Sequence, residues 1–154
     1  MDPREFRNAM GTFATGVTVI SVYHDGKAHG MTANAFSSVS LEPPLVLVCI
    51  DHRANSLGYI REAGHFGVNV LSSEQEDVSR LFAHQKLDKT PEIRFSETEG
   101  APLLEGALVQ CNCKVVQTVE AGDHTIFIGE VGEIRRTEGE PLCFYQGKYR
   151  ALAQ

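Results

Sequence analysis

Hydrophobic positions along this chain change their period several times, and each change marks an element. Phe6, Met10 and Phe13 fall at helical spacing behind Asp2 and Pro3, which predicts a short amphipathic helix in DPREFRNAMGTFATG ending near Gly16. VTVISVY and AHGMTANAF flank the turn residues HDGK and predict a hairpin, because the Asp25-Gly26 pair tolerates positive φ. Leu45 to Ile50 is an unbroken apolar run rich in β-branched residues, the mark of a buried strand. Leu57, Ile60 and Ala63 share one face of a helix over Ala54 to Ala63, stopped by Gly64. HFGVNVL predicts a further strand. Ser73, with Glu76 three residues on, predicts a capping box opening a helix that buries Val78, Leu81 and Phe82.

From His84 to Gly106 the pattern weakens into a loop containing Pro91, Gly100 and Pro102, a length usually functional or mobile. Alternation resumes at Ala107 in ALVQCNCKVVQTVEAG, HTIFIGEVGEIRRTE and LCFYQGKYRAL. With little room between them for helices, these strands predict antiparallel meanders rather than βαβ units. The expected fold is mainly β, an antiparallel barrel with a few peripheral helices, formed as one domain over residues 1–154.

Composition narrows the function. A chain of 154 residues, 42% hydrophobic, is large enough to bury a core without disulfides or metal. Fourteen basic against twenty acidic residues give a net charge of −6 with no basic stripe, which argues against nucleic acid as a partner. No apolar run reaches the roughly 18 residues needed to span a bilayer, and MDPREFRNAM lacks the order of a signal peptide, so a soluble cytoplasmic protein is expected, with no membrane partner. Cys111 and Cys113 lie two apart in an alternating segment and share one sheet face, while Cys49 and Cys143 lie in apolar or aromatic strand-like segments. All four read as reduced packing thiols rather than a metal site. The sequence contains no G-x-G-x-x-G, P-loop, G-x-S-x-G or H-E-x-x-H motif, which removes Rossmann, P-loop, hydrolase and zinc-protease readings.

Three stretches remain as candidate chemistry. TANAFSSVS places small and polar residues beside a core strand; backbone amides become reachable there to a flat ligand, though a plain Ser/Thr-rich loop has the same composition. CIDHRANS runs a strand into a helix start, where Arg53, Asn55 and Ser56 either meet a phosphate or cap the helix in the ordinary way. In AGDHTIFIGEV, His124 follows a Gly-Asp turn and opens a strand, either projecting toward a pocket or sitting as a surface turn histidine.

Taken together, FRNAMGTFATGVTVI, HGMTANAFSSVSLEPPLVLVCI, GDHTIFIGEV and FYQGKYRAL resemble, in order and at matching spacing over nearly the whole chain, the short-chain flavin reductases. These are the small components of two-component aromatic monooxygenases such as phenol or 4-hydroxyphenylacetate hydroxylases. The resemblance implies a split β-barrel of the FMN-binding type, an antiparallel Greek-key barrel, assembled as a homodimer. It implies FAD or FMN as flavin, NADH as hydride donor, and a separate monooxygenase as recipient of reduced flavin. Carried over residue by residue, it implies that Thr32, Ala33 and Asn34 line the flavin ring and that Ser38, Val39 and Ser40 extend that wall toward the ribityl chain. Cys49, Ile50 and Asp51 would lie beneath the ring, Asn55 and Ser56 near the phosphate, and Phe82 and Ala83 at a further contact. His124 would position the nicotinamide, with Tyr149 close by. Hydride transfer between two bound rings requires no protein acid, base or nucleophile. The alternatives are a non-catalytic split-barrel module that stores or senses flavin or haem, and an oxidase of the pyridoxamine-phosphate type. The second needs a basic cluster, and only Arg135-Arg136 forms an adjacent basic pair.

Overall fold

The computed structural model describes residues 1–153, which form three helices and twelve strands. In chain order these are α1 (Pro3–Met10), β1 (Thr15–Gly16), β2 (Thr18–His24), β3 (Lys27–Ala33), β4 (Phe36–Ser40), β5 (Leu45–Asp51), α2 (Asn55–Ala63), β6 (His65–Val70) and α3 (Glu76–Phe82). They continue as β7 (Phe95–Ser96), β8 (Leu103–Leu104), β9 (Val109–Ala121), β10 (His124–Arg136), β11 (Cys143–Tyr145) and β12 (Lys148–Arg150).

Seven strands form one antiparallel sheet in the order β3-β2-β6-β9-β10-β5-β4. Its two edge strands, β3 and β4, are consecutive in sequence and separated only by Asn34 and Ala35. A two-residue link cannot cross a flat seven-stranded sheet, whose edges lie about 29 Å apart at roughly 4.8 Å per strand. The sheet therefore curls until its edges meet at that turn, and the result is a split barrel.

Alternation along the strands fills the barrel. Ile20, Val22, Val48, Ile50, Phe66, Val68, Cys113 and Phe127 point inward and are almost wholly buried, and α2 plugs the space with Leu57 and Ile60. Burying a side chain of this size stabilises the fold by about 1.5–3 kcal/mol. Strand β2 is buried on both faces, which explains its continuous apolar run: Val17 and Val19 join Leu71, Val78, Leu104 and Leu142 in a second core outside the barrel, beneath α3.

The Asp25-Gly26 hairpin forms as expected, with φ of 52° and 74°, and Gly64 ends α2 in the left-handed region at φ 73°. Three local expectations are corrected. Helix α1 stops at Gly11 instead of Gly16, because residues 15 and 16 are drawn into an extended pairing with Phe144 and Cys143. Its apolar residues Phe6 and Met10 face outward, at 55% and 56% exposure, as does Phe13 just beyond the helix, at 78%. The Ser73 capping box does not form. Gln75 occupies the cap position of α3, its side chain accepts from the Ser72 amide at 2.9 Å, and the Ser73 amide instead donates to the Glu140 carbonyl. The segment from His84 to Gly106 is not loop throughout, since β7 pairs with β8 and Ala101, Leu103 and Leu104 are buried.

Candidate active site

The turn that closes the barrel also lines a cleft. The Asn34 carbonyl accepts from the Phe36 amide and the Ala35 carbonyl from the Cys49 amide, each at 3.0 Å, so the link is stitched to β5. The Ala33 carbonyl accepts from the buried Thr18 hydroxyl at 2.6 Å, which fixes the last residue of β3. Thr32, Ala33 and Asn34 form one wall of a cavity of about 150 Å³ whose other lining residues are Val17, Ser79, Gln85, Phe144 and Tyr149. Small-molecule sites span roughly 300–1,000 Å³, so this cleft is sized for part of a ligand, with the remainder lying along the surface.

Tyr149 faces Thr32 and Asn34 across the cleft and is held from three directions. Its hydroxyl meets Ser79 Oγ at 2.7 Å, the Arg80 guanidinium lies 4.9 Å from its ring centroid, and Phe144 packs edge-on at 5.4 Å. Ser79 also binds the opposite wall, because its carbonyl accepts from the Thr32 hydroxyl at 2.7 Å. Ser79, Gln85, Phe144 and Val17 were not singled out by the sequence. A lone serine on a helix or a valine before a strand carries no local signal; the packing of α3 on β3 brings Ser79 to the cleft, and the pairing of β11 with β1 brings Phe144. That close packing depends on Gly30, where a Cβ would sit 2.8 Å from the Phe82 ring.

Strand β4 runs from the cleft along the sheet edge. Its pairing with β5 skips Val39 between Ser38 and Ser40, a bulge that leaves Val39 47% exposed and its backbone out of the ladder. Ser38 and Ser40 lie on either side of it. Cys49, Ile50 and Asp51 end β5 beside the Asn34–Ala35 turn. Cys49 is half-buried, and burial raises its thiol pKa above the ordinary value. Ile50 belongs to the barrel core, so only its backbone is available to a ligand.

At the β5–α2 junction, the cap position of α2 is Ala54 rather than Asn55 or Ser56, and no side chain among the described residues caps the helix. Ser56 is buried, while Asn55 is exposed. Asp51 instead organises the preceding turn: Oδ1 accepts from the Arg53 amide at 2.8 Å and Oδ2 from the Arg53 guanidinium at 2.9 Å. The Arg53 hydrogen bonds hold the Asp51 carboxyl well below the ordinary carboxylate range.

His124 opens β10 directly opposite Asp51 in the ladder. Its Nδ1 lies 2.7 Å from the Asp123 carboxylate, which His124 in turn holds below the usual range. Behind it, Glu120 accepts from the buried Thr125 hydroxyl at 3.0 Å, lies 2.9 Å from His52 Nε2, and pairs with Arg61. The β9–β10 hairpin is thereby tied to the β5–α2 turn and to α2. Phe82 and Ala83 close α3 beside Gly30, with Phe82 packed edge-on to Phe95 at 6.1 Å.

Of the residues expected from the sequence, Thr32, Ala33, Asn34 and Tyr149 meet in the cleft. Asp51 and His124 meet at the adjoining strand end, and Ser38, Val39 and Ser40 lie along the neighbouring edge.

Residues 10–153 match the family model described as the flavin reductase like domain. The chain belongs to that family. Among flavin reductases it is 46% identical over 153 residues to an NADH-dependent flavin reductase from a Rhodococcus species, a match covering 97% of this chain and 86% of that one. It is 38% identical to the reductase component of a 4-nitrophenol 4-monooxygenase/4-nitrocatechol 2-monooxygenase from Rhodococcus opacus, over 97% of this chain and 80% of that protein. The solved structure of the flavin reductase PheA2 in its native state superposes with a TM-score of 0.95 at 54% identity, over the whole of both chains. The NADH:FAD oxidoreductase SgcE6 of Streptomyces globisporus, solved with NAD and FAD fragments, superposes at 0.90 and 39% identity, covering 99% of this chain and 96% of that one. The expected family and the split-barrel fold of a flavin reductase are borne out.

Proposed function

We propose that this chain is an NADH-dependent flavin reductase that reduces FAD or FMN and supplies the reduced flavin to a separate monooxygenase. The observation that carries the site within that function is the cleft at the barrel seam, where Thr32, Ala33 and Asn34 face Tyr149. Its residues fit a flavin. The walls are small or aromatic, the bulge at Val39 presents unpaired backbone along the open β4 edge, and α2 begins without a side-chain cap among the described residues.

Thr32, Ala33 and Asn34 form the wall against the ring system, and Ser38, Val39 and Ser40 carry it toward the ribityl chain. Cys49, Ile50 and Asp51 contribute strand-end backbone beneath the ring. Asn55 and Ser56 offer helix N-terminal amides to a phosphate, as the positive end of a helix favours an anion. Phe82 and Ala83 supply a further contact, His124 orients the nicotinamide from the β5–β10 strand end, and Tyr149 bounds the cleft against the Thr32 wall. When bound, the nicotinamide and flavin supply the redox chemistry themselves, by hydride transfer. The protein holds the rings in contact and keeps water away, so His124 acts by position and is not required as an acid or base.

A homodimer is supported by apolar surface that one copy leaves uncovered: Leu47, Ile126 and Ile128 are half-buried on the outer face of β5 and β10, and Phe6 and Met10 of α1, with Phe13 just beyond it, face outward. Sedimentation at micromolar concentration checks it, with a 17 kDa species as the adverse result. A cytoplasmic setting is supported by four unpaired cysteines among the described residues. No helix among the described residues is long and apolar enough to cross a membrane.

The deciding experiment is anaerobic addition of NADH to the protein with excess FAD or FMN, following flavin absorbance. Bleaching of many equivalents is expected; flavin that binds and stays oxidised would overturn the assignment.

A further inference from the structure

The walls of the cleft come from opposite ends of the chain. Thr32 lies on β3, Tyr149 on the C-terminal β12, and no backbone ladder joins those two strands among the described residues. Between them stands Ser79, fully buried on α3 and bonded to both: its carbonyl takes the Thr32 hydroxyl and its own hydroxyl meets that of Tyr149, each at 2.7 Å. A buried serine that only needed a partner could satisfy its hydroxyl within its own helix. This one reaches 70 residues along the chain to a residue that lines the cleft.

We propose that Ser79 is a positioning residue for the flavin and nicotinamide cleft, fixing Tyr149 at a set distance from the Thr32 wall so that a planar ring enters a gap already formed. The inference rests on the flavin reductase assignment. Arg80, over the Tyr149 ring at 4.9 Å, and Phe144, edge-on to it, hold the ring plane, but neither limits how far the ring slides away from β3. The Ser79 hydroxyl does. Its removal leaves the β11–β12 hairpin end tied to α3 only through Arg80 and apolar packing, and the first ligand to bind then has to set the position of Tyr149 itself, which appears as weaker binding rather than as slower chemistry.

The test is a double-mutant cycle of Ser79→Ala, Tyr149→Phe and the pair, read as flavin dissociation constant, NADH KM and kcat. Tyr149→Phe removes only an oxygen at the cleft margin, so one arm of the cycle is independent of any folding defect in Ser79→Ala. Each single change is expected to weaken flavin binding or raise NADH KM about fivefold, the usual worth of one hydrogen bond, with kcat within twofold. The double change is expected to be no worse than the more severe single one, because both delete the same bond. Effects that multiply, or a Ser79→Ala protein that loses thermal stability with unchanged KM and flavin affinity, would overturn the proposal while leaving the reductase assignment intact. Failure of the unsubstituted protein to bleach flavin with NADH would overturn both.

Discussion

His124 stands opposite Asp51 in the β5–β10 ladder, and each turns its side chain to a sequence neighbour: Asp51 to Arg53, His124 to Asp123. The two turns flanking the strand end are therefore braced separately. With Nδ1 committed to Asp123, the imidazole has Nε2 left for a ligand, as a group that orients a nicotinamide amide requires.

Replacing His124 with alanine is expected to raise the NADH KM roughly fivefold, one hydrogen bond's worth, while flavin affinity stays unchanged and turnover persists. Rapid-mixing kinetics separate the terms. Complete loss of hydride transfer with flavin still bound would show that His124 does more than position.

The Asp51 carboxyl gives stability a pH dependence of definite sign. Its pKa is held below the unfolded value, about 3.9, by hydrogen bonds from Arg53. Its contribution is thus complete above that value and is lost progressively as pH falls from there through the much lower folded-state pKa. Asp123 and Glu120 are shifted in the same direction, by His124 and by Thr125 respectively. Asp51→Asn should lower the thermal midpoint at pH 7, with a smaller deficit near pH 3 that shrinks further only as the folded-state carboxyl itself takes up a proton. An equal deficit at both pH values would show that the ion pair is not its source.

Gly129 is fixed by packing. A Cβ there would lie 2.6 Å from the Phe66 ring and 2.9 Å from Cys113 Cβ, all within the closed barrel. Gly129→Ala is expected to cost about 1–3 kcal/mol, the usual range for overpacking. Denaturant unfolding measures it; a midpoint equal to that of the parent would mean the core yields there.

Burial pushes the Cys113 thiol up to about 12 and raises Cys111 in the same direction. In native protein at pH 8, iodoacetamide should therefore spare both and reach the half-buried Cys49 and Cys143 first, whereas unfolded protein should be modified at all four. Peptide mass mapping reads the order directly.

Much of the fold was legible because local chemistry and tertiary packing agree. Asp25-Gly26 demands its turn, Gly64 ends its helix, and the alternation from Val109 to Arg136 survives as two long paired strands. Where they compete, the local signal loses. The helical spacing of Phe13 is overridden once Thr15 pairs with Phe144, and Ser73 gives up its cap when its amide finds Glu140 across space. Leu103 and Leu104 escaped notice because a two-residue strand is too short to show a period. The site divides the same way: Thr32, Ala33 and Asn34 stand out as small residues beside a core strand. Ser79 becomes visible only when α3 is laid against β3.

The link of Asn34 and Ala35 spans the gap between the first and last strands of the curled sheet. Its backbone freedom is surrendered during folding, to the ladders on either side, so little of it is left for the proposed flavin site to order on binding. In that proposal recognition is prepaid by topology: the same closure that makes the barrel also shapes the groove.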